Sequence, residues 1–567
     1  MKKGVPTWLL LILLIFWIGR SIIPSVFSAS SIIRVPEDYP TIQEAVNVAK
    51  PGDTILVASG TYHESIYISK SVSLIGKCKE NTTIIGLGIG NVIYISSYSV
   101  TVSNFTIKGS GTNYISPFDG GDAGIMLDRC TNCTLSNLIV KENCLGIFLN
   151  LSNNNVLESN TCYLNSKDGI YLRLSNNNTI KNNAWYLNGG HAGIYLNPFS
   201  SYNLVENNTC YSNADHGIKL QESSNYNVLK NNNCTDNENA GIFLRKSDGN
   251  ILDSNTCTRN RHNPGIILYL FCNNNTLINN ACDSNDEGIS LQHSCNNNIL
   301  INNTCLNNKV RGIFLQSSNS NTIIRNTLSL NGKNPCGTAG IYLNNSNYNE
   351  IYYNNISMNW RGIVISGENS TGNEIHQNNI TKNVEWGLLN DAPKEVNATL
   401  NWWGSSQGPL VCQFVEETDS DDPEEIRGDI SYKPWLTTFT VRVIGPILRV
   451  SNLSINPTTS KIDETISISV NVTNVGDLPG TFTITLKIND AVEEVKEITL
   501  SARESSIVAF NLTRATTGTY TVEVDGLTGS FTVEEAPPYW ELYAVMVLIA
   551  IAIGVIIVIY RWKILFT

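Results

Sequence analysis

Between about Asp122 and Asn383 the apolar positions recur with a period in the twenties. The repeated phrase is Gly-Ile-x-Leu, a short polar turn, then Asn-x-(Ile/Leu/Val)-x-x-Asn-x-(Cys or apolar) and a further Asn. Its glycines are Gly124, Gly146, Gly169, Gly193, Gly217, Gly241, Gly265, Gly288, Gly312, Gly340 and Gly362, spaced by 22 to 28 residues, and a degenerate copy at Gly387-Leu388-Leu389 ends the series. A unit this short cannot bury a core of its own, so it must stack on its neighbours as a solenoid. In Gly217-Ile218-Lys219-Leu220 the two apolar residues are two apart, the spacing of a strand with one face inward. A second apolar site per unit (Leu157, Ile180, Val205, Leu229, Leu252) marks another short strand. The pattern predicts one coil of a parallel β-helix per repeat, with coils about 4.8 Å apart.

Stacking turns each repeat position into a column. One asparagine column runs Asn160, Asn183, Asn208, Asn232, Asn255, Asn280 and onward to Asn378; another runs Asn165, Asn188, Asn213, Asn237, Asn260, Asn285 and onward to Asn383. Asparagine tolerates a left-handed backbone, and stacked amides can hydrogen-bond along a column. Between them lies Cys162, Trp185, Cys210, Cys234, Cys257, Cys282, Cys305, Leu328, Ile356 and Ile380, where cysteine alternates with apolar residues and is expected to be a buried small hydrophobe. Cys272 and Cys295 share a turn column on adjacent coils and are the best disulfide candidates, subject to the dihedral a disulfide requires.

Outside the repeats the pattern changes. Residues 1–30 read as a secretory signal, with Lys2 and Lys3, an apolar run from Trp8 to Ile18 and a small-residue end at Ser28-Ala29-Ser30. Pro40-Thr41-Ile42-Gln43-Glu44 is a capping box ahead of a short amphipathic helix, expected to plug the first coil of a β-helix over 31–437. After a linker at 438–447, residues 448–533 alternate at strand period between turn signals, which suggests an immunoglobulin-like β-sandwich. A short stalk at 534–540 leads to an apolar stretch at 541–560, long enough to span a bilayer, and a basic tail at 561–567 that is expected to stay cytoplasmic. The fold class expected is all-β: a right-handed single-stranded parallel β-helix with an N-terminal capping helix, then a β-sandwich and a C-terminal transmembrane helix. The bulk of the protein is then extracellular, held at the cell membrane by one pass.

Charge and sequons narrow the partners. A net charge of −11 argues against nucleic acid. Sequons at Asn81, Asn104, Asn150, Asn207, Asn397, Asn452, Asn471 and Asn511 suit an exported glycoprotein. The acidic run Glu416–Asp422 lacks the glycine and terminal glutamate of a calcium loop, so calcium is left open and no cofactor is expected.

Thr41-Ile42-Gln43-Glu44-Ala45, Pro51-Gly52-Asp53-Thr54, Gly60-Thr61-Tyr62 and Leu74-Ile75-Gly76 resemble the opening of NosD-like right-handed parallel β-helix proteins. Asn401-Trp402-Trp403-Gly404, Gly408-Pro409 and Pro434-Trp435-Leu436 are similar to that family's closing segment. Asn474-Val475-Gly476-Asp477 with Gly518-Thr519-Tyr520 resembles the cell-adhesion-related CARDB-type module, which implies a spacer or binding unit. The first resemblance implies the fold over about 34–437 and a place on a cell surface. It fixes no activity, because the same architecture carries lyases, hydrolases, adhesins and accessory proteins. The NosD name also implies copper-site maturation. Copper transfer favours clusters of Met, Cys and His, whereas this chain has four Met and six dispersed His (His63, His191, His216, His262, His293, His376).

Candidate chemistry lies on the outward side of the glycine-led strands. The outward position of Gly-Ile-x-Leu reads Phe148, Tyr171, Tyr195, Lys219, Phe243, Ile267, Ser290, Phe314, Tyr342, and the next reads Asn150, Arg173, Asn197, Gln221, Arg245, Tyr269, Gln292, Gln316, Asn344. An exposed aromatic stripe beside amides and guanidinium groups suits a polysaccharide or cell-envelope glycan. Phe148, Tyr171, Tyr195, Phe243, Phe314 and Tyr342 would supply flat faces; Arg173, Gln221, Arg245 and Gln292 would supply donors. Aromatic residues also stack well in β-ladders on stability grounds alone. Asp168, Asp215 and His216, in the turns before the glycines, are the acid–base candidates for a polysaccharide lyase or glycoside hydrolase. The Asp-Asp and Gly-His-Gly motifs of β-helix pectinolytic hydrolases are absent, so carbohydrate binding or surface scaffolding is the first expectation and catalysis the alternative.

Overall fold

The computed structural model describes residues 31–535 apart from 117–119, 333–337, 412–423, 439–447 and positions 475, 477–478, 490, 502–503 and 526. The expected signal, acidic run, most of the linker, the membrane span and the tail lie outside the described residues. Among the described residues no helix is long and apolar enough to cross a membrane. The chain divides into two compact units, Met1–Phe439 and Thr440–Thr567.

In the first unit every coil contributes short strands to parallel sheets. Sheet 1 collects the glycine-led strands, from Ile66–Ile68 to Glu425–Arg427, in 16 strands. Sheet 2, with 17 strands, runs from Ile32–Val35 to Ile430–Ser431. Sheet 3 runs from Gly60–His63 to Thr256–Thr258 and resumes at Thr304–Leu306, with Ala281 bridging the two parts. Registers follow the repeat without slippage: Ile170, Ile194, Ile218, Ile242 and Ile266 stack in sheet 1, and Cys162, Trp185, Cys210, Cys234 and Cys257 stack in sheet 3. All are fully buried in one continuous apolar core. Burial pushes the Cys162, Cys282 and Cys305 thiols well above the ordinary cysteine value, as suits inert core residues. Cys272 and Cys295 are both free thiols, and the Cys272 N–H donates to Cys295 Sγ at 3.4 Å.

The turns hold the coils in register through buried amides. Asn232 is typical. Its Oδ1 accepts from the N–H and Nδ2 of Asn208, both at 3.0 Å, while its own Nδ2 donates to Val205 O at 2.8 Å and to Asn255 Oδ1 at 3.0 Å. The amide therefore uses both donors and both acceptor sites, the condition under which a buried polar group stabilises a fold. A third asparagine column, from Asn155 through Asn178 and Asn203 to Asn373, and a serine–cysteine column through Ser152, Ser175, Ser200 and Ser224 repeat the scheme. The column asparagines are not the left-handed residues. Positive φ falls one position earlier, at Leu187 (54°), Tyr202 (59°), Asn231 (53°) and Arg325 (58°). The turn places its strain on the exposed residue and reserves the next side chain for the ladder. Glycine leads the sheet 1 strands because a Cβ on Gly217 would meet the Gly241 carbonyl at 2.6 Å and the Asn237 amide at 2.9 Å.

One α-helix, Ile42–Val48, buries Ile42, Ala45 and Val46 in the same core. Thr41 accepts from the Glu44 N–H at 3.2 Å, and the Ile42 and Gln43 N–H groups are taken by the Glu64 carboxylate, both at 2.9 Å. At the other end, Asn383 donates its N–H to Glu424 Oε1 at 2.7 Å, where a further asparagine would have stood.

The second unit is built differently. Leu448–Asn456, Ile466–Asn474 and Ser505–Leu512 form a three-stranded antiparallel sheet. Thr459–Lys461, Gly480–Ile488, Ala491–Leu500, Gly518–Val524 and Leu527–Glu534 form a second sheet of five. Alternate residues of both, among them Ile468, Val470 and Phe510 from the first and Leu486, Val522 and Phe531 from the second, make one buried cluster.

Candidate functional site

The outward face of sheet 1 carries the two predicted columns, and the structure treats them differently. The aromatic column is not an exposed stripe. Tyr171 and Tyr195 are 0% and 1% exposed, Phe148 and Phe314 are also buried, and Phe243 and Tyr342 are half-buried. One cover is a hairpin, Tyr114–Ser116 with Gly120–Gly121, whose Tyr114 packs on a cluster of Ala123, Leu145, Phe148, Tyr171, Ala192 and Tyr195. The other reason is axial stacking. Phe148, Tyr171 and Tyr195 stack ring on ring at 5.1 and 5.2 Å. Lys219 then lies between Tyr195 and Phe243, 5.5 and 5.3 Å from the ring centres, and the Arg311 guanidinium lies on Phe314 and Tyr342 at 4.0 and 4.6 Å. A side chain repeating every coil turns its ring face to the next coil, so the faces that a sugar would use are already occupied.

The polar column beside it keeps its place at the surface. Asn150, Arg173, Gln221, Arg245, Tyr269, Gln292, Gln316 and Asn344 are half-buried, with Asn197 buried among them, and their strands are paired in register. Asn150 donates to Asp128 Oδ1 at 2.7 Å and accepts from Arg173 at 2.9 Å. Tyr195 donates to Gln221 at 3.2 Å, Arg245 pairs with Glu222, and Gln292 donates to Ser290 at 2.9 Å. These contacts fix the side chains in rotamers and leave an ordered row of amide and guanidinium groups on the coil spacing.

The three acid–base candidates do not meet as one centre. Asp168 is fully buried, close enough to Tyr114 for its charge to act on the phenol; its Oδ1 accepts from the Ala192 N–H at 2.9 Å, and its Oδ2 faces His191 Nδ1 at 3.6 Å without a hydrogen bond. The Tyr114 hydroxyl is also without a partner. Asp215 instead sits with His216 Nε2 at 3.3 Å and Lys219 Nζ at 3.6 Å. His216 is spoken for on both nitrogens: the Ala240 N–H donates to Nδ1 at 3.1 Å, so the ring proton is on Nε2 facing Asp215. Burial, with help from Lys219, holds its pKa well below the ordinary histidine value. A neutral ring with its acceptor nitrogen bonded to the backbone is not a free base. Burial lowers the Lys219 pKa while the neighbouring Asp215 carboxylate opposes it; sequence reasoning placed Lys219 in the outward column and gave it no role. Its signal was its place as the one cation within the aromatic column.

Copper chemistry is not supported by the residues present. The core cysteines point inward, His216 is bonded to the backbone, and among the described residues no three His, Cys, Asp or Glu side chains group as metal ligands.

The chain is a right-handed parallel β-helix protein. The family described as "Right handed beta helix region" matches over residues 123–282, 205–337 and 283–402, and "Periplasmic copper-binding protein (NosD)" matches over 46–198. No curated protein matches the sequence. Among solved structures, the mannuronan C-5 epimerase AlgE6 A-module of Azotobacter vinelandii is similar, at 16% identity and a TM-score of 0.43, over 58% of this chain and 92% of that one. DFA-IIIase from Arthrobacter chlorophenolicus A6 is similar at 16% identity and 0.42, over 52% and 94%. The CARDB domain of a Pyrococcus furiosus protein, solved with di-metal ions, is similar at 20% identity and 0.14, over 16% of this chain and 93% of that one.

Proposed function

We propose that the protein is a surface β-helix that binds an extended polysaccharide through the polar column of sheet 1. The observation that carries this reading is the column of half-buried amide and guanidinium side chains, Arg173, Gln221, Arg245 and Gln292 among them, set at the coil spacing and interrupted by the buried Asn197 and by Tyr269. Hydroxyl-rich chains are recognised by donors and acceptors held on rigid elements, and a parallel ladder supplies both at fixed spacing. The aromatic column acts as the rigid bed beneath this row, with its rings committed to one another. The Ile42–Val48 helix closes the first coil, and the C-terminal unit is an immunoglobulin-like, CARDB-type spacer. An N-terminal signal and the span at 541–560 place both units outside the cell and the tail inside.

The test is retention of the full-length protein, in detergent, in gels cast with a panel of polysaccharides, each assayed in parallel for new reducing ends and unsaturated products. Arg173→Ala with Arg245→Ala and Gln292→Ala is expected to weaken retention by about tenfold or more, with melting unchanged, since losing even about 1.4 kcal/mol of hydrogen bonding costs a factor of ten. Unchanged retention in the triple variant sinks the polar-column reading. Products that vanish in Asp215→Ala would make the protein a lyase or glycosidase instead.

A further inference from the structure

Cys130-Thr131-Asn132-Cys133 opens two turn columns of the solenoid at once. In the coils that follow, the first column carries Ser152, Ser175 and Ser200, and the second carries Asn155, Asn178 and Asn203. Those side chains reach down to the previous coil, Ser152 Oγ to Leu127 O at 3.1 Å and Asn155 Nδ2 to Cys130 O at 3.3 Å. At the start of both columns the same two places are held by sulfur. Cys130 Sγ lies 3.1 Å from Ile95 O and Cys133 Sγ lies 3.4 Å from Ser97 O. Cys130 Sγ also lies 3.4 Å from Asp128 O and Cys133 Sγ 3.7 Å from Thr131 O, and the two thiols are close enough to feel each other's charge. Both residues are buried free thiols.

Among the described cysteines, Cys130 and Cys133 are the two that share one turn of one coil. Cys272 and Cys295 lie a coil apart on parallel side-chain vectors, and the core sulfurs likewise stack from coil to coil. A separation of three residues across a turn brings two Cα atoms within about 7 Å, which overlaps the range of about 4.4–6.8 Å that a disulfide spans.

We propose that Cys130 and Cys133 are a disulfide-forming pair, closed as the chain folds, that clamps the turn from which the serine and asparagine columns start. Cys133 is the attacking group. In the folded turn the Val100 N–H donates to Cys133 Sγ at 3.5 Å, a bond that favours negative charge on this sulfur as the turn forms. The Cys133 thiolate displaces one thiol from a small disulfide of the glutathione class. The Cys130 sulfur, losing its proton, then attacks Cys133 Sγ and displaces the second thiol. Two protein thiols are oxidised to one disulfide, and one small disulfide is reduced to two thiols. Burial of the folded turn afterwards shelters the bond from exchange, so it serves as a clamp and not as a switch.

The experiment uses the full-length protein, refolded from denaturant in the presence of oxidised glutathione, then unfolded in iodoacetamide and digested with trypsin. The peptide Cys130–Lys141 is expected without alkylation on either cysteine and two hydrogens lighter than its dithiol form. Alkylation of both residues, or a crosslink from either to a third cysteine, overturns the proposal. Cys130→Ser with Cys133→Asn installs the residues of the next coil and is expected to fold. It is expected to lose a reductant-sensitive rise of a few degrees in melting temperature that the unaltered protein shows. Equal responses to reductant in the two proteins would also overturn it.

Discussion

The solenoid and the C-terminal unit are both all-β, yet they hold register by opposite means. In the C-terminal unit every strand but the three-residue Thr459–Lys461 has seven to ten residues that alternate inward apolar and outward polar side chains, and among the described residues few buried ones are polar, Ser460 and Asn474 among them. A slip of one residue would turn a whole strand inside out, and that penalty suffices. The solenoid strands are often three residues long, with a single inward side chain, as in Val228–Lys230. Such a strand carries almost no register information of its own. The information sits in the turns, where buried amides accept only the correct neighbour one coil away. Short strands require polar ladders; long strands manage with apolar alternation.

The strongest way to break this comparison is Asn232→Leu. It removes a fully satisfied amide and strands the Asn208 N–H and the Val205 carbonyl, at an expected cost of about 2–4 kcal/mol by denaturant unfolding of the solenoid. Thr483→Leu, on the exposed side of a C-terminal strand, should change the stability of its unit by less than about 0.5 kcal/mol. Similar values for the two would remove the distinction.

A smaller effect is expected where the ladder ends in a charge. Burial raises the Glu424 carboxyl from its ordinary 4.5 to about 7. The folded protein therefore binds this proton more tightly than the unfolded chain. The stability it confers is complete below about pH 4.5 and is lost as pH rises through about 7. Glu424→Gln supplies a neutral acceptor for Asn383 and should flatten this window, raising stability at pH 8 on the order of 2 kcal/mol as read by melting across pH. A slope that persists in the variant would assign the titration elsewhere.

The smallest effect sharpens the account of the turns. Leu187 carries a left-handed backbone at φ 54° and is half exposed, so Leu187→Asn should stabilise by about 0.5–1 kcal/mol. A loss of stability would mean that Leu187 packs in a way its exposure does not suggest.

Much of the fold was legible because repetition averages out local ambiguity. The Gly-Ile-x-Leu phrase, the two asparagine columns and the inward cysteines each recur across many coils, and one period fits all of them. The C-terminal strands at Ile466–Asn474 and Gly518–Val524 were visible from strict alternation, while Ala491–Leu500, with Glu493, Glu494, Lys496 and Glu497, hid its pattern under charge. The candidate site was legible only by column. Sequence assigned Tyr171, Tyr195 and Arg173 to the outward face correctly, and misjudged what outward means when a hairpin folds back and rings stack along the axis.

What the sequence determined by itself was the coil, its register and which side chains face in, because these follow from local spacing that recurs from coil to coil. What only the tertiary structure decided was access: that Asp168 is fully buried, that His216 is bonded to the backbone of the next coil, and that the aromatic faces are spent on one another. Access depends on atoms a whole coil away or on an inserted hairpin, and no spacing within one repeat carries that information.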